Sequence, residues 1–328
     1  MEHSTVAMPT LEDLESHRRE LTGYCYRMLG SGAEAEDAVQ ETMLRAWRAL
    51  GRFQGRSSLR SWLYRIGTNV CLDMLSSAQR RARPMDMGPA RSPHGPLGEI
   101  LQDSAWLEPV PDERVLPEGD PAEVVESRET VRLAFVAALQ TLPPRQRAAL
   151  ILCEVLHWKA SEAAELLGTS TAAINSALQR ARATIEDLDT GEIPATTSER
   201  ELLDRYVDAF QRYDMQALTA LIHEDATQSM PPYELWLSGR EHIFSFWVGP
   251  GAACRGSRVL AAGKANGLPA FGQYKPSESG SGYDPWALQV LDVRDGRVAE
   301  FTFFLATPRI FPLFGLPERL DAHGSPGA

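Results

Sequence analysis

The sequence has few cysteines and no long hydrophobic run. No Cys-x-x-Cys pair and no histidine at zinc-ligand spacing accompanies its four cysteines, Cys25, Cys71, Cys153 and Cys254. Small core thiols are therefore expected, without a metal site. No apolar run approaches the roughly 18 residues of a membrane span, and the acidic opening MEHSTVAMPTLEDLE is not typical of a secretory signal. These absences predict a cytoplasmic protein with reduced thiols that uses no cofactor.

Lysine is also scarce, and the net charge of −11 argues at first against a nucleic-acid partner. The charge is unevenly distributed, however. Residues 42–83 hold nine arginines against Asp73, and residues 130–185 hold six basic against three acidic side chains. Residues 84–129 between them carry eleven acidic and three basic side chains. Because salt limits the reach of a charge to about 8 Å, two local basic segments can attract phosphates whatever the total.

The length of 328 residues predicts two or three domains. Residues 84–121 contain eight prolines and no sustained period, which favours an extended linker. Three amphipathic helices are predicted before it, the third beginning at Ser57 or Ser58 as N-cap. Their apolar stripes are Leu21, Tyr24, Cys25, Met28 and Leu29; Val39, Met43, Ala46, Trp47 and Leu50; and Leu59, Trp62, Leu63, Ile66 and Val70.

A helix-turn-helix is predicted after the linker. A helix over 122–141 is broken by Leu142-Pro143-Pro144, and helical character resumes over 145–156. The stretch SEAAELLGTSTAAINSALQRARATI then gives two helices around Gly168, with Thr169 or Ser170 as N-cap of the second. This is the pattern of a DNA-reading helix-turn-helix, although a plain αα-hairpin has the same pattern.

The C-terminal part has an α+β pattern. Apolar residues from Leu202 to Phe210 mark a helix, and beyond about residue 225 the chain becomes β-like. Asn266-Gly267 and Asp295-Gly296 separate apolar stretches as hairpin turns.

Residues 51–70 combine four arginines with aromatic side chains. Arginine neutralises phosphates, and aromatic faces stack unpaired bases at about 1–3 kcal/mol each, a combination suited to single-stranded or opened DNA. For Trp62, a place in the helix core explains the residue better. Phe53, in the loop among Gly and Arg, fits either interpretation.

At this point a family resemblance can be stated. AEDAVQETMLRAW, FQGRSSLRSWLYRIGTNVCLDML and the basic QRRAR resemble region 2 of an extracytoplasmic-function sigma factor, and LPPRQRAALIL with the helix-turn-helix resembles region 4. The resemblance implies a multidomain chain of two all-α sigma modules and an α+β domain. Its parts are region 2 (11–83), an acidic Pro-rich linker (84–125), region 4 (126–188, helix-turn-helix 160–182) and an accessory domain (197–320).

The resemblance also implies partners and sites. Region 2 would bind core RNA polymerase and the melted −10 element, region 4 would read −35 promoter DNA, and the linker would pass through the polymerase cleft. Polymerase contacts are expected at Asp37, Gln40 and Glu41. The −10 contacts are expected at Phe53, Arg56, Arg60, Arg65, Asn69, Arg80 and Arg81. The −35 contacts are expected at Ser170, Thr171, Asn175, Ser176, Gln179 and Arg180.

The recognition helix departs from the family in one respect. Arg180 and Arg182 are its only cations, whereas the family commonly has Lys and Arg around the central Ser176. Each missing phosphate contact flattens the salt dependence of binding by about 0.9 in log–log slope. We therefore expect weak autonomous −35 binding.

The C-terminal domain resembles the SnoaL-like, cone-shaped α+β fold, which encloses an apolar pocket. The pocket candidates are Tyr206, His223, Asp225, Met230, Tyr233, Trp236, Trp247 and Trp286. An aromatic core explains the aromatic residues equally well. His223, Asp225 and Glu300 are the acid–base candidates, but we expect no enzyme, because fold analogy alone establishes no catalysis.

The predicted function is a sigma factor whose accessory domain modulates its activity through the sigma modules, the linker or a small apolar ligand. Two alternatives remain at this stage. One is a polymerase-independent helix-turn-helix regulator with a ligand-sensing domain, and the other is a SnoaL-like enzyme. The first does not need the basic, aromatic segment over 51–83, which favours the sigma factor.

Overall fold

The protein is described by a computed structural model over residues 9–76, 81–117, 124, 127–185 and 197–326. These residues form two compact units. Unit 1 takes its described residues from Met1–Arg81 and Asp112–Thr190, and unit 2 takes them from Ala82–Pro111 and Gly191–Ala328.

Unit 1 begins with a helical bundle whose helix starts are fixed by capping side chains. Thr10 forms a capping box with Asp13, and the hydroxyls of Ser31 and Ser58 accept hydrogen bonds from first-turn amides. The N-cap predicted at Ser57 or Ser58 is thus Ser58. The helices are α1 (Leu11–Glu15), α2 (Arg18–Leu29), α3 (Gly32–Ala49) and α4 (Leu59–Leu75).

The predicted apolar stripes are mostly buried in this bundle. The whole α2 stripe is buried, as are Val39, Met43 and Ala46 of α3. The prediction that Trp47 belongs to the buried stripe of α3 was wrong, since its side chain is 59% exposed. On α4, Leu63 and Val70 are buried, while Trp62 is half-buried and packs against Phe53.

The second part of unit 1 is the predicted helix-turn-helix with its preceding helices. Its elements are α5 (Leu133–Gln140), α6 (Pro144–Leu150) with a π turn at Ile151–Val155, α7 (Ala160–Leu167) and α8 (Thr171–Ile185). Gly168 ends α7 at φ +61°, a left-handed conformation that glycine adopts without strain. The Ser170 hydroxyl accepts a hydrogen bond from the Ala173 amide at 3.2 Å, which confirms it as the cap of α8. The helix predicted over 122–141 lies partly outside the described residues.

Unit 2 is built on a six-stranded sheet of order β2-β1-β6-β5-β4-β3, in which β1 and β6 are parallel and the other neighbours antiparallel. The helices α9, α10 and α11 share an apolar core with it. The elements are α9 (Thr197–Arg212), α10 (Met215–Ala220), β1 (Ile222–Ser229), β2 (Trp236–Ser238), α11 (Arg240–Val248), β3 (Arg258–Ala265), β4 (Leu268–Pro276), β5 (Tyr283–Arg294) and β6 (Arg297–Phe304).

Both predicted hairpin turns are present. Asn266 and Gly267 join β3 to β4 at φ +54° and +81°, and Asp295 and Gly296 join β5 to β6 at φ +50° and +69°. Two consecutive positive φ angles are what a two-residue type I′ turn requires, which explains the Asn-Gly and Asp-Gly pairs.

Residues 82–111 differ from the expected extended linker, because they pack on the sheet domain of unit 2. The Arg91 amide donates to the Trp236 carbonyl at 2.9 Å, and the Leu101 amide donates to the Pro232 carbonyl at 3.2 Å. Nearer the end of the segment, Val110 and Asn266 exchange two hydrogen bonds of 3.1 and 3.2 Å. We call residues 82–111 the strap. Periodicity gave no sign of this packing, because the strap has only short helical turns at Pro84–Met87 and Asp103–Ala105.

Candidate nucleic-acid interface

The outer face of α8 carries all six residues predicted to read −35 DNA. The helix buries Ile174, Ala177, Leu178 and Ala181 against unit 1, and this fixes which side faces solvent. Exposed on that side are Ser170, Thr171, Asn175, Ser176, Gln179 and Arg180. Their amides and hydroxyls are suited to hydrogen bonding with base edges in a major groove.

The charge on this helix face is low. Arg182 forms an ion pair with Glu154 at 2.7 Å, so part of its charge is already compensated within unit 1. Weak autonomous binding stays a prediction, based on the small number of cations available for phosphate contacts.

Three residues of the predicted −10 surface, Phe53, Arg65 and Asn69, lie with Trp62 along one side of the bundle. Trp62, Arg65 and Asn69 are spaced by three and four residues on α4, so they share a helix face. The ring of Phe53 packs on Trp62 with centroids 5.0 Å apart, which fixes the loop before α4 against that face. Asn69 is exposed and Phe53 half-buried. An aromatic face and an amide on one side of a helix can stack a base and bond its edge.

The other predicted −10 residues have different surroundings. Arg56 is exposed. The Arg60 guanidinium bonds Glu20 at 2.8 Å and lies over the rings of Tyr64 and Trp158, and Arg65 contacts Glu165 at 3.4 Å. Arg81 is 4% exposed and bonded to Glu34, so its side chain is buried here instead of facing DNA. Arg80 lies outside the described residues.

The predicted polymerase-binding residues lie on α3. Asp37 and Gln40 are exposed, and Glu41 accepts a hydrogen bond from Arg45 at 2.6 Å. The same stripe continues with Leu44 and Trp47, which are 39% and 59% exposed. The sequence analysis did not predict that Leu44 and Trp47 form part of an exposed surface. Their spacing of four and seven residues from Gln40 could have shown it, because residues at this spacing lie on the same face of a helix.

A cavity bounded by aromatic side chains lies in the accessory domain. Its volume is about 40 Å³, room for only a few water molecules. Trp247, Trp286 and Met230 line it as predicted. The cavity wall contains Phe210, Tyr213, Met215, Gln228, Met230, Phe246, Trp247, Gly251, Cys254, Gln273, Trp286 and Phe303.

The remaining pocket candidates lie elsewhere. Tyr206 is fully buried and starts a polar chain, in which its hydroxyl donates to Gln289 at 2.9 Å and the Gln289 amide donates to Gln273 at 2.9 Å. Burial raises the pKa of Tyr206, so it stays a neutral donor. Tyr233 and Trp236 meet the strap, Trp236 by donating from Nε1 to the Gly88 carbonyl at 2.8 Å.

The acid–base candidates are not at the cavity. His223 and Asp225 both lie within β1, and the Asp225 amide donates to His223 Nδ1 at 3.2 Å. Glu300 lies in β6 and is likewise absent from the cavity wall. Among the cavity-lining residues that the structure describes, none is a carboxylate or an imidazole.

Comparisons with known proteins agree with this geometry. Three family profiles match the chain: Sigma-70 region 2 over residues 14–81, Sigma-70 region 4 over 132–185, and the SnoaL-like domain over 203–301. The chain is 45% identical over 314 residues to the ECF RNA polymerase sigma factor SigG of Mycobacterium tuberculosis, covering 93% of this chain and 83% of that protein. It is 28% identical to SigJ of the same species, covering 94% and 95%.

A solved structure shares the fold. The crystal structure of the Mycobacterium tuberculosis extracytoplasmic function sigma factor SigJ matches with a TM-score of 0.58 at 24% identity, covering 94% of this chain and all of that one. Two helical modules in this order, followed by a SnoaL-like domain, define the architecture of a sigma factor with an accessory domain. The chain belongs to the ECF RNA polymerase sigma factors, which direct RNA polymerase to promoters.

In the part of the chain that the structure describes, no helix is long and apolar enough to cross a membrane. The same residues include no cluster of His, Cys, Asp and Glu suited to a metal ion.

Proposed function

We propose that Phe53 and Asn69 hold an unpaired base of the −10 element while the outer face of α8 reads −35 duplex DNA. The observation that carries this proposal is the shared face of α4, where Phe53 packs on Trp62 beside Arg65 and Asn69. A regulator that binds only duplex DNA has no use for an aromatic and an amide placed to receive an extruded base.

The test is promoter opening with purified bacterial core polymerase. Unpaired thymines near −10, detected by permanganate, are expected when both the protein and core polymerase are present. Binding to duplex without core polymerase, and no opening with it, would instead support a polymerase-independent regulator.

The stripe of Asp37, Gln40, Glu41, Leu44 and Trp47 is the proposed polymerase-binding surface. Its exposed indole and leucine are unusual on a solvated helix, and acidic and amide groups border them. An apolar centre with a polar border is the composition of a protein interface. Since its partners are polymerase and chromosomal DNA, the protein is placed in the cytoplasm.

The accessory domain modulates initiation by holding the strap. By the family resemblance, this segment passes through the polymerase cleft, so its contacts with the sheet domain compete with that path. Arg91 bonds Glu234 at 2.5 Å and Trp236 bonds the Gly88 carbonyl at 2.8 Å. The small cavity and these contacts favour intramolecular regulation over ligand binding or catalysis.

The double variant Arg91→Ala, Trp236→Phe tests this role. Loss of one exposed ion pair and one hydrogen bond weakens strap docking by about 1–2 kcal/mol. Run-off transcription at limiting core polymerase should therefore rise several-fold. The control is Arg212→Ala, which removes the exposed Arg212–Asp208 pair of α9 away from the strap. Equal transcription by the double variant and the wild type would contradict regulation by the strap.

A further inference from the structure

A lysine and a cysteine meet at the wall of the accessory-domain cavity. Cys254 ends the short 3₁₀ turn Pro250–Cys254 after α11 and lines the cavity. Lys275, near the end of β4, forms a hydrogen bond with the Cys254 side chain. Both side chains are half-buried, so solvent still reaches them. Neither residue takes part in the proposed DNA or polymerase contacts, and a pair of adjacent nucleophiles beside a cavity can carry chemistry of its own.

The turn that carries Cys254 is held in place by hydrogen bonds. The Cys254 carbonyl accepts from the Ser257 hydroxyl at 2.7 Å and from the Ser257 amide at 3.1 Å. Gln273 of β4 donates to the Ser257 hydroxyl at 3.1 Å. Ser257 and Gln273 are buried. Because Gln273 and Lys275 belong to the same strand, β4 positions both members of the pair.

The ammonium of Lys275 lies over an aromatic ring. Its Nζ is 3.1 Å from the centroid of Trp286, which makes a cation–π contact with the cavity wall. Asp284, opposite Lys275 on β5, pairs with Arg319 at 2.9 Å. Burial lowers the pKa of Lys275, and the neighbouring thiol opposes this shift. The Lys275 nitrogen is therefore more available as a neutral amine than that of a fully exposed lysine.

The other cysteines have surroundings that make them less reactive. Cys25 and Cys71 are fully buried, and the hydrogen bond with Cys25 together with burial holds the pKa of Cys71 well above its usual range. Cys153 is half-buried, and burial with the nearby Glu154 raises its pKa. The thiolate is the reacting form of cysteine, and an adjacent lysine ammonium favours it. Cys254 is therefore expected to react before the other three.

The size of the cavity limits which reagents reach the sulfur from that side. A volume of about 40 Å³ admits molecules little larger than water. Hydrogen peroxide is such a molecule, whereas a thiol of the size of glutathione is not. A sulfenic acid formed at Cys254 is thus shielded from bulky thiols on the cavity side, and the nucleophile beside it is the amine of Lys275.

We propose that Cys254 and Lys275 form a peroxide-reactive site, in which oxidation joins the sulfur of Cys254 to the nitrogen of Lys275 as a sulfenamide. The site belongs to the accessory domain alone. It does not depend on how regions 2 and 4 bind DNA.

The sulfenamide forms in two steps. In the first, the Cys254 thiolate attacks one oxygen of hydrogen peroxide, the O–O bond breaks, and the Lys275 ammonium gives a proton to the leaving hydroxide, which departs as water. In the second, the neutral amine attacks the sulfenic sulfur, the S–O bond breaks, and the hydroxyl leaves with one amine proton as a second water. The sulfur loses two electrons and the peroxide gains them.

The test treats the full chain with hydrogen peroxide, digests it without a reductant and identifies linked peptides by mass spectrometry. A peptide pair joined between Cys254 and Lys275 is expected, lighter than the two free peptides by two hydrogen atoms and separated again by dithiothreitol. Alkylation of the remaining thiols measures the rates. The free Cys254 thiol should disappear about tenfold faster than the free Cys153 thiol.

Two lysine variants separate the charge from the nucleophile. Lys275→Arg keeps a cation that stays protonated, so Cys254 should accumulate as a sulfenic acid that dimedone traps, without a bridge. Lys275→Met removes both functions and should slow the loss of the Cys254 thiol by about tenfold. Lys264→Met, on β3, is the matched control and should form the bridge as the wild type does.

Two results with the folded wild-type chain would overturn the proposal. One is the absence of a linked Cys254–Lys275 peptide after peroxide treatment, and the other is loss of the Cys254 and Cys153 thiols at equal rates. Both are measured without a substitution, so they decide the matter even if a lysine variant fails to fold. Failure of promoter opening would contradict the proposed function and leave the linked peptide unaffected.

Discussion

The two proposed nucleic-acid surfaces of unit 1 differ in how far their side chains are free of partners within the protein. The outer face of α8 presents six polar or basic side chains to solvent, whereas the −10 face of α4 has Arg60 and Arg65 engaged by residues of region 4. Asn69 remains exposed on that face. For the proposed function, the difference means that the duplex-reading face is available in the free chain, whereas two cations of the base-capture face already have partners within unit 1.

The largest expected effect tests the base-capture side of the comparison. Phe53→Ala removes a stacking face and Asn69→Ala removes a donor and an acceptor. Each should reduce promoter opening by about 10- to 100-fold, since base stacking contributes about 1–3 kcal/mol. Permanganate reactivity at −10 in the holoenzyme is the measurement. Ser76→Ala, exposed at the end of α4, is the matched control. Unchanged promoter opening by both variants would show that Phe53 and Asn69 do not bind the −10 element.

The next prediction concerns the buried Arg147 of α6, which donates to the Met28 carbonyl at the end of α2. Arg147→Met leaves the Met28 carbonyl and the Gln140 side chain without this donor, and should lower the free energy of unfolding of unit 1 by about 1–3 kcal/mol. Urea denaturation of the full chain measures it. Arg145→Met, exposed on the same helix, should cost much less. Equal decreases in the free energy of unfolding for the two variants would show that the buried hydrogen bonds of Arg147 contribute no extra stability.

A third prediction addresses sequence reading by α8. Asn175→Ala should weaken discrimination at one base pair of the −35 element by about tenfold, because a bidentate amide–base contact contributes about 1–3 kcal/mol. Competition between promoter duplexes for the holoenzyme measures it, with Ala173→Ser as the control. An equal loss of affinity for all promoter sequences would instead indicate that Asn175 contacts the DNA backbone.

The smallest expected effect tests the low charge of the recognition helix. Glu154→Gln releases Arg182 from its ion pair, and one additional phosphate contact steepens the log–log salt dependence of duplex binding by about 0.9. Titration of a labelled −35 duplex at several salt concentrations measures the slope. Asp208→Asn, the same neutralisation on α9, should leave it unchanged.

The sequence predicted local features well. The face of α8 follows from helical periodicity, and the two hairpins follow from residue pairs that accept positive φ. Contacts between residues far apart in sequence were not predictable. Trp158 and Arg60 are separated by nearly a hundred residues, and no local pattern signals their stacking. The linker was among the expected contacts of the accessory domain, but the residues by which the strap docks were not predictable, because its contacts are individual hydrogen bonds and not a repeating stripe.

The accessory domain shows the limit of family analogy. Trp247 and Trp286 line the cavity as predicted, but Tyr206 is part of the core and Trp236 holds the strap. The sequence around an aromatic residue does not show which residue it will contact in the folded protein. The family fold therefore reduced the number of candidate pocket residues but did not show which of them line the cavity.

The most direct test of the whole account measures the permanganate reactivity of the −10 thymines with core polymerase alone, with the full chain added, and with the Phe53→Ala variant added instead. Reactive thymines are predicted with the wild-type chain, and their reactivity is predicted to fall about 10- to 100-fold with the variant. Equal reactivity with the variant and the wild type would contradict the central claim that this face of α4 holds an unpaired base.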